Sequence, residues 1–119
     1  MGLSSGIHPN RGEIWLVDFD PTIGAEIKKT RPAIVISNDH QNQHALIVTV
    51  LPISDIGKRV YPYEFYLSKE TAGLIKDSKV RCQQIRALDK SRLIKLLGTI
   101  DLDAMNGVEK ALRIHLGMF

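Results

Sequence analysis

Thr30-Arg31-Pro32-Ala33-Ile34-Val35-Ile36-Ser37 is the stretch on which the fold turns. Proline fixes φ and lacks an N–H, so it suits the first residue of a strand and fits poorly in its middle. The four apolar residues behind Pro32 include three β-branched ones, a strand signal. With no polar position among them, this strand is covered on both faces, as a central sheet or barrel strand would be. Ahead of it lies the polar loop Gly24-Ala25-Glu26-Ile27-Lys28-Lys29. Arg31 therefore stands where a loop meets a buried strand, with its backbone held and its guanidinium open on one side. A planar fork of donors in that place suits a phosphate, and equally a salt bridge at a strand start.

Working outward, residues 13–18 read as a strand closed by Asp20-Pro21, and 33–37 form the second. Residues 38–43 are a polar connection with room for one helical turn. A third strand, 45–51, is halted by Pro52, and 63–67 alternates well enough for a fourth. The fifth, 78–85, would put Val80, Cys82 and Gln84 on one face and Lys79, Arg81 and Gln83 on the other. A short sixth covers 97–100. Asp101 then looks like the N-cap of a helix over 102–116, with Gly117 as its C′ residue. Leu102, Met105, Val108, Leu112 and Leu116 form its apolar stripe. Gly107 weakens such a helix by about 1 kcal/mol, so packing must hold it. Short strands, no βαβ alternation and one terminal helix predict a mainly β fold, a small antiparallel barrel with a docked helix. At 119 residues the chain reads as one domain over 1–119, with 1–10 as a loose lead-in rich in Gly, Ser and Pro.

Composition, 44% hydrophobic and 24% charged, is that of a globular protein rather than a disordered or fibrous one. No apolar run approaches bilayer length, and the start lacks the charged and apolar regions of a secretory signal. A single cysteine, Cys82, excludes an intrachain disulfide and fits a reducing cytoplasm. Net charge is only +3, yet residues 76–95 carry seven cations against Asp77 and Asp89. That clustering suits a polyanion such as RNA, or a solvated basic face. His40 and His44 lack the glutamate of H-E-x-x-H, His8 and His115 are isolated, and no phosphate-binding glycine loop is present. Neither a metal site nor a cofactor is expected. Cys82 reads as a buried thiol, and no nucleophile elbow appears. What remains is a set of polar residues at loop–strand joints: Glu26, Arg31, Asn38, Ser54, Gln84 and Arg86.

Taken in order, "RGEIWLVDFDPTIGAE", "RPAIVISND", "LPIS", "VRCQQIRALDKSRL" and "MNGVEKALRIHLG" resemble the MazF/PemK toxins of bacterial toxin–antitoxin pairs. The resemblance runs from Arg11 to the C-terminus. It implies an SH3-like barrel of the CcdB/PemK class, a homodimer, and ribosome-independent cleavage of single-stranded messenger RNA in a groove across the dimer. It also implies a cognate MazE-like antitoxin whose acidic tail blocks that groove. By the same resemblance Arg31 matches the catalytic arginine, and Ser54 matches a position where threonine is usual, keeping the hydroxyl and losing a methyl. Glu26 matches the glutamate of a G-S-E loop, with Ala25 in place of the serine. Arg11, Asn38, Gln83 and Gln84 fall where relatives contact RNA. Lys28 and Lys29 replace a loop that is often glycine-rich, and with Arg86 they complete the expected RNA-binding set.

The chemistry implied is metal-free. The RNA's own 2′-OH attacks, leaving a 2′,3′-cyclic phosphate (or a 3′-phosphate) and a 5′-hydroxyl. Arg31 would hold the non-bridging oxygens and help protonate the leaving 5′-oxygen, Ser54 would bond the same phosphate, and Glu26 is the candidate base. Two rivals share the fold class: a CcdB-like gyrase-binding toxin and a catalytically inactive SH3-like interaction module.

Overall fold

β1 (Glu13–Asp18) and β2 (Thr30–Val35) form an antiparallel pair, and β3 (Ile47–Asp55) lies against the other edge of β2. A computed structural model describes residues 8–119, so most of the expected N-terminal lead-in, 1–7, lies outside the described residues. Between β2 and β3 sits one short helix, α1 (Asp39–His44), started by the Asn38 side chain accepting from Gln41 N at 2.8 Å. β4 (Glu64–Leu67), α2 (Lys69–Ala72) and β5 (Ser78–Arg81) follow, then a tight 3-10 turn, Cys82–Gln84. The chain ends in β6 (Arg86–Asp89), a second such turn, β7 (Leu93–Thr99), and α3 (Leu102–Leu116).

The strand order is β4-β5-β3-β2-β1-β7, with β6 also on β3. β6 and β7 therefore stand at opposite ends of the path β6-β3-β2-β1-β7, yet only the turn Lys90–Arg92 separates them in the chain. So short a link forces the sheet to curl until those ends approach. No ladder joins them among the described residues, so the barrel-like sheet stays open. The class is the expected one: mainly β, antiparallel, with a C-terminal helix.

Strand alternation sorts the apolar side chains into two cores. Ile14, Ile34, Leu51 and Ile53 face α3, whose Met105, Val108 and Ala111 complete that core. Trp15, Val17, Ala33, Val35, Val48 and Val50 face the other way, where the curl brings Leu88 and Leu93 over them. Four expectations need correction. β2 spans Thr30–Val35 rather than 33–37, because β1 pairs with it back to Thr30, so Arg31 and Pro32 lie inside the strand. β3 runs through Pro52 instead of stopping there, because β6 pairs only up to Val50 and β5 only from Ile53, leaving no ladder partner on that edge. The fifth strand ends at Arg81, since the chain turns there to pass from β5 to β6. The β6 strand went unread, and β7 begins at Leu93, not residue 97.

α3 has its expected bounds, with Asp101 Oδ1 accepting from Ala104 N at 2.8 Å and Gly117 closing the helix at φ 70°. Its stripe buries only centrally, for Leu102 and Leu116 remain exposed. Gly107 faces the ring of Phe65 on β4, and a β-carbon there would meet the Phe65 ring at 2.2 Å. The residue that costs helix propensity is thus the one that lets α3 approach the sheet. Gly107→Ala should lower stability by about 1–2 kcal/mol, because overpacking outweighs the gain of about 1 kcal/mol in propensity. Urea midpoints would read this, and a raised midpoint would mean that Phe65 simply moves aside.

Candidate active site

Two prolines open the cleft. The β2–β3 ladder ends at Ala33 opposite Pro52, and Pro32 follows on β2, so donors are missing on both strands where pairing would continue. Carrying the register two residues further sets Arg31 opposite Ser54. By alternation Arg31 joins Ala33 and Val35, and Ser54 joins Pro52 and Val50, on one face of the sheet. Both residues also border a cavity of about 370 Å³, among whose other lining residues Pro32 and Asp55 belong by the same alternation, and Leu74 by its packing, to the side of α3.

Neither group is heavily committed. Arg31 is exposed and donates one long bond from Nε to Lys28 O at 3.4 Å, while half-buried Ser54 donates Oγ to Asp55 O at 3.1 Å. Next to them Asp55 pairs with Lys76 at 2.5 Å. The Lys76 hydrogen bond and charge, with a smaller pull from Arg31, hold the Asp55 carboxyl below its usual range.

Glu26 lies on a neighbouring loop. Its Oε1 accepts from Ile23 N at 2.9 Å, and its own N–H donates to Ile23 O at 3.2 Å. Gln84 grips the same loop from below: Oε1 accepts from Ile27 N at 3.2 Å and Nε2 donates to Ala25 O at 3.4 Å. Glu26, Pro52, Gln83, Gln84 and Arg86 line a second cavity, of about 260 Å³, which Pro52 joins to the Arg31–Ser54 face. Arg86 donates to Phe19 O at 2.7 Å. Lys28 and Lys29 are exposed, and Lys29 takes a left-handed φ of 67° with its N–H on Asp20 Oδ1 at 3.0 Å.

Arg11 and Asn38 lie elsewhere, lining a third cavity of about 500 Å³ beside α3. The Arg11 guanidinium is engaged by Ile36 O and Glu109, and the Asn38 side chain caps α1. Nor is the basic segment 76–95 a bare positive face. Lys76 pairs with Asp55, Lys79 and Arg81 with Glu64, and Arg92 donates to the carbonyls of Asp18 and Asp20.

Sequence reading missed Glu64. Its side chain is 1% exposed, with Lys79 Nζ at 2.9 Å and Arg81 Nε at 3.0 Å. Gln83 Nε2 donates to it at 2.7 Å and Tyr61 N at 3.0 Å. The signal was there: Lys79, Arg81 and Gln83 at alternate positions require an acid once their face is covered. Cys82 is buried as expected, and burial, with the Glu64 charge behind it, pushes its thiol up to about 12. Among the described residues no three His, Cys, Asp or Glu side chains converge as metal ligands, and no helix is long and apolar enough to cross a membrane.

A family described as PemK-like, MazF-like toxin of type II toxin–antitoxin system matches residues 10–116. Endoribonuclease MazF9 of Mycobacterium tuberculosis (strain ATCC 25618 / H37Rv) is 38% identical over 114 residues, spanning 92% of this chain and 97% of that protein. A crystal structure of MazF from Deinococcus radiodurans superposes with a TM-score of 0.80 at 29% identity, covering 94% of this chain and 99% of that one. A MazE–MazF structure from the same organism gives 0.75 at 27%, covering 95% and 99%.

Proposed function

The chain belongs to the PemK/MazF family of toxins of type II toxin–antitoxin systems, and from that premise we infer that it is an endoribonuclease. We propose further that it cuts single-stranded messenger RNA at specific sequences, without a metal ion, using the substrate's 2′-hydroxyl as nucleophile. One observation carries this reading: a guanidinium and a small hydroxyl stand on neighbouring strands, facing one way, just past the last ladder pair.

The 2′-oxygen bonds to phosphorus as its proton passes to a base, and the bond to the 5′-oxygen breaks as that oxygen takes up a proton. A 2′,3′-cyclic phosphate (opening to a 3′-phosphate) and a 5′-hydroxyl end result. Arg31 binds the non-bridging oxygens and reaches the departing 5′-oxygen, and Ser54 donates to the same phosphate. Glu26 serves as base: Ile23 N–H occupies Oε1, which leaves Oε2 for the 2′-hydroxyl. Lys28, Lys29 and Arg86 supply positive charge beside the cleft, and Gln84 acts first by holding the loop of Glu26. The same reading includes a homodimer and a MazE-type antitoxin that fills the RNA groove, as a D. radiodurans relative is solved as MazE–MazF.

Incubating the pure protein with an unstructured RNA in EDTA tests the proposal. Cleavage with 5′-hydroxyl ends supports it, and intact RNA favours a gyrase binder or an inactive module. A fully paired target should resist, because A-form duplex hides its base edges. Ser54→Ala should slow single-turnover cleavage by roughly 10²-fold, the weight of one preorganised donor, whereas Ser54→Thr should stay near the parental rate. An alanine variant at full speed would remove Ser54 from the reaction.

A further inference from the structure

Glu64 is the one buried acid among the described residues, and it holds more than its own strand. Its Oε1 takes Lys79 Nζ and Tyr61 N–H, and its Oε2 takes Gln83 Nε2. An ionised carboxylate only accepts, so Gln83 must turn its NH₂ group toward it. Gln83 has no second anchor, for its buried Oε1 has no partner. That single bond therefore sets where the Gln83 side chain lies, in a turn that begins beside the Arg81–Glu64 ladder pair. Successive side chains of a 3-10 turn diverge by about 120°. With Gln83 drawn to β4, Gln84 is directed to the loop, where it accepts from Ile27 N–H and donates to Ala25 O. Glu26 lies between those two residues.

We propose that Glu64 is a positioning residue for the cleavage centre, holding the loop of Glu26 through Gln83 and Gln84. This rests on the reading of that loop as part of the RNA site. Glu64 itself is closed off and touches no substrate. At 3.2 and 3.4 Å the Gln84 bonds are long, so a small displacement of the turn breaks them and frees the loop.

Amide hydrogen exchange at Ile27, in the full chain without RNA, reads the coupling directly. Gln83→Met removes the link and leaves the Glu64 ion pairs in place; Glu64→Gln tests the acid itself. Exchange at Ile27 should quicken roughly tenfold in both, the weight of about one hydrogen bond, while β2–β3 amides keep their protection. In Glu64→Gln, kcat for an unstructured RNA should fall with KM little changed. Unchanged Ile27 exchange in folded Gln83→Met overturns the proposal, even if Glu64→Gln proves unstable. Faster exchange with parental cleavage overturns Glu64's part in the reaction and removes Glu26 from the cleavage centre, while the nuclease reading survives on Arg31 and Ser54.

Discussion

Arg31→Ala should cut RNA roughly 10²–10³ times more slowly than the parent while unfolding at the same denaturant concentration. The separation of the two effects comes from where the residue stands. Its side chain is exposed and keeps the fold only one long bond, to Lys28 O at 3.4 Å, so truncation leaves no buried group unpaired. In the proposed mechanism its stabilising role arises in the transition state, when charge gathers on the equatorial phosphate oxygens opposite Ser54. Arg31→Lys keeps the charge and loses the planar fork, so its rate should fall between the two. Single-turnover cleavage of one oligonucleotide, with urea unfolding in parallel, decides the matter. If Arg31→Ala cleaves at the parental rate, the phosphate is held by some other group.

Glu64→Ala should add a loss of about 3–5 kcal/mol in stability, so that activity falls through the folded fraction as well as through the released Glu26 loop. Lys79, whose side chain is 9% exposed, would lose its counter-charge and keep only the Arg59 carbonyl, and the partly exposed Arg81 would lose the same acid. The same carboxyl predicts an acid limb. Burial pushes its pKa up, but hydrogen bonds from Gln83, Lys79 and the Tyr61 N–H, with the Lys79 charge, outweigh that and hold it below the usual 4.5. The group therefore contributes stability fully above pH 4.5, and that contribution is lost as pH falls through the lowered value. Urea midpoints measured downward from neutral pH should fall in the parent below the usual carboxylate range. A Glu64→Gln chain should lose this part of the slope, and an unaltered slope would place the acid sensitivity elsewhere.

The proposed site was half legible along the chain. Arg31 precedes Pro32 and Ser54 lies two residues past Pro52, and a proline offers no N–H to a neighbouring strand, so residues near them are candidates for a gap in pairing. That both face one way follows from alternation once the register Ala33–Pro52 is known. Arg11 and Asn38 have polar side chains at loop–strand joints like the others, yet the fold uses them for an α3 contact and a helix cap. Residue type alone does not separate a phosphate ligand from a structural bond.

Local rules sufficed for α3, because an N-cap, a C′ glycine and a 3.6-residue stripe all lie within adjacent turns of one segment. They also sufficed for β1, and for the existence of β2 but not its bounds, since pairing with β1 carries β2 back through Pro32 to Thr30. Tertiary structure alone decided the break at Cys82–Gln84, since a strand that must leave β5 for β6 has to turn whatever its alternation. It alone decided that Gly107 is a point of contact, and that Glu64, Lys79 and Gln83 form one buried cluster. Pairings across β4 and β5 join residues distant in the chain, and their free energy depends on burial, which no local pattern records.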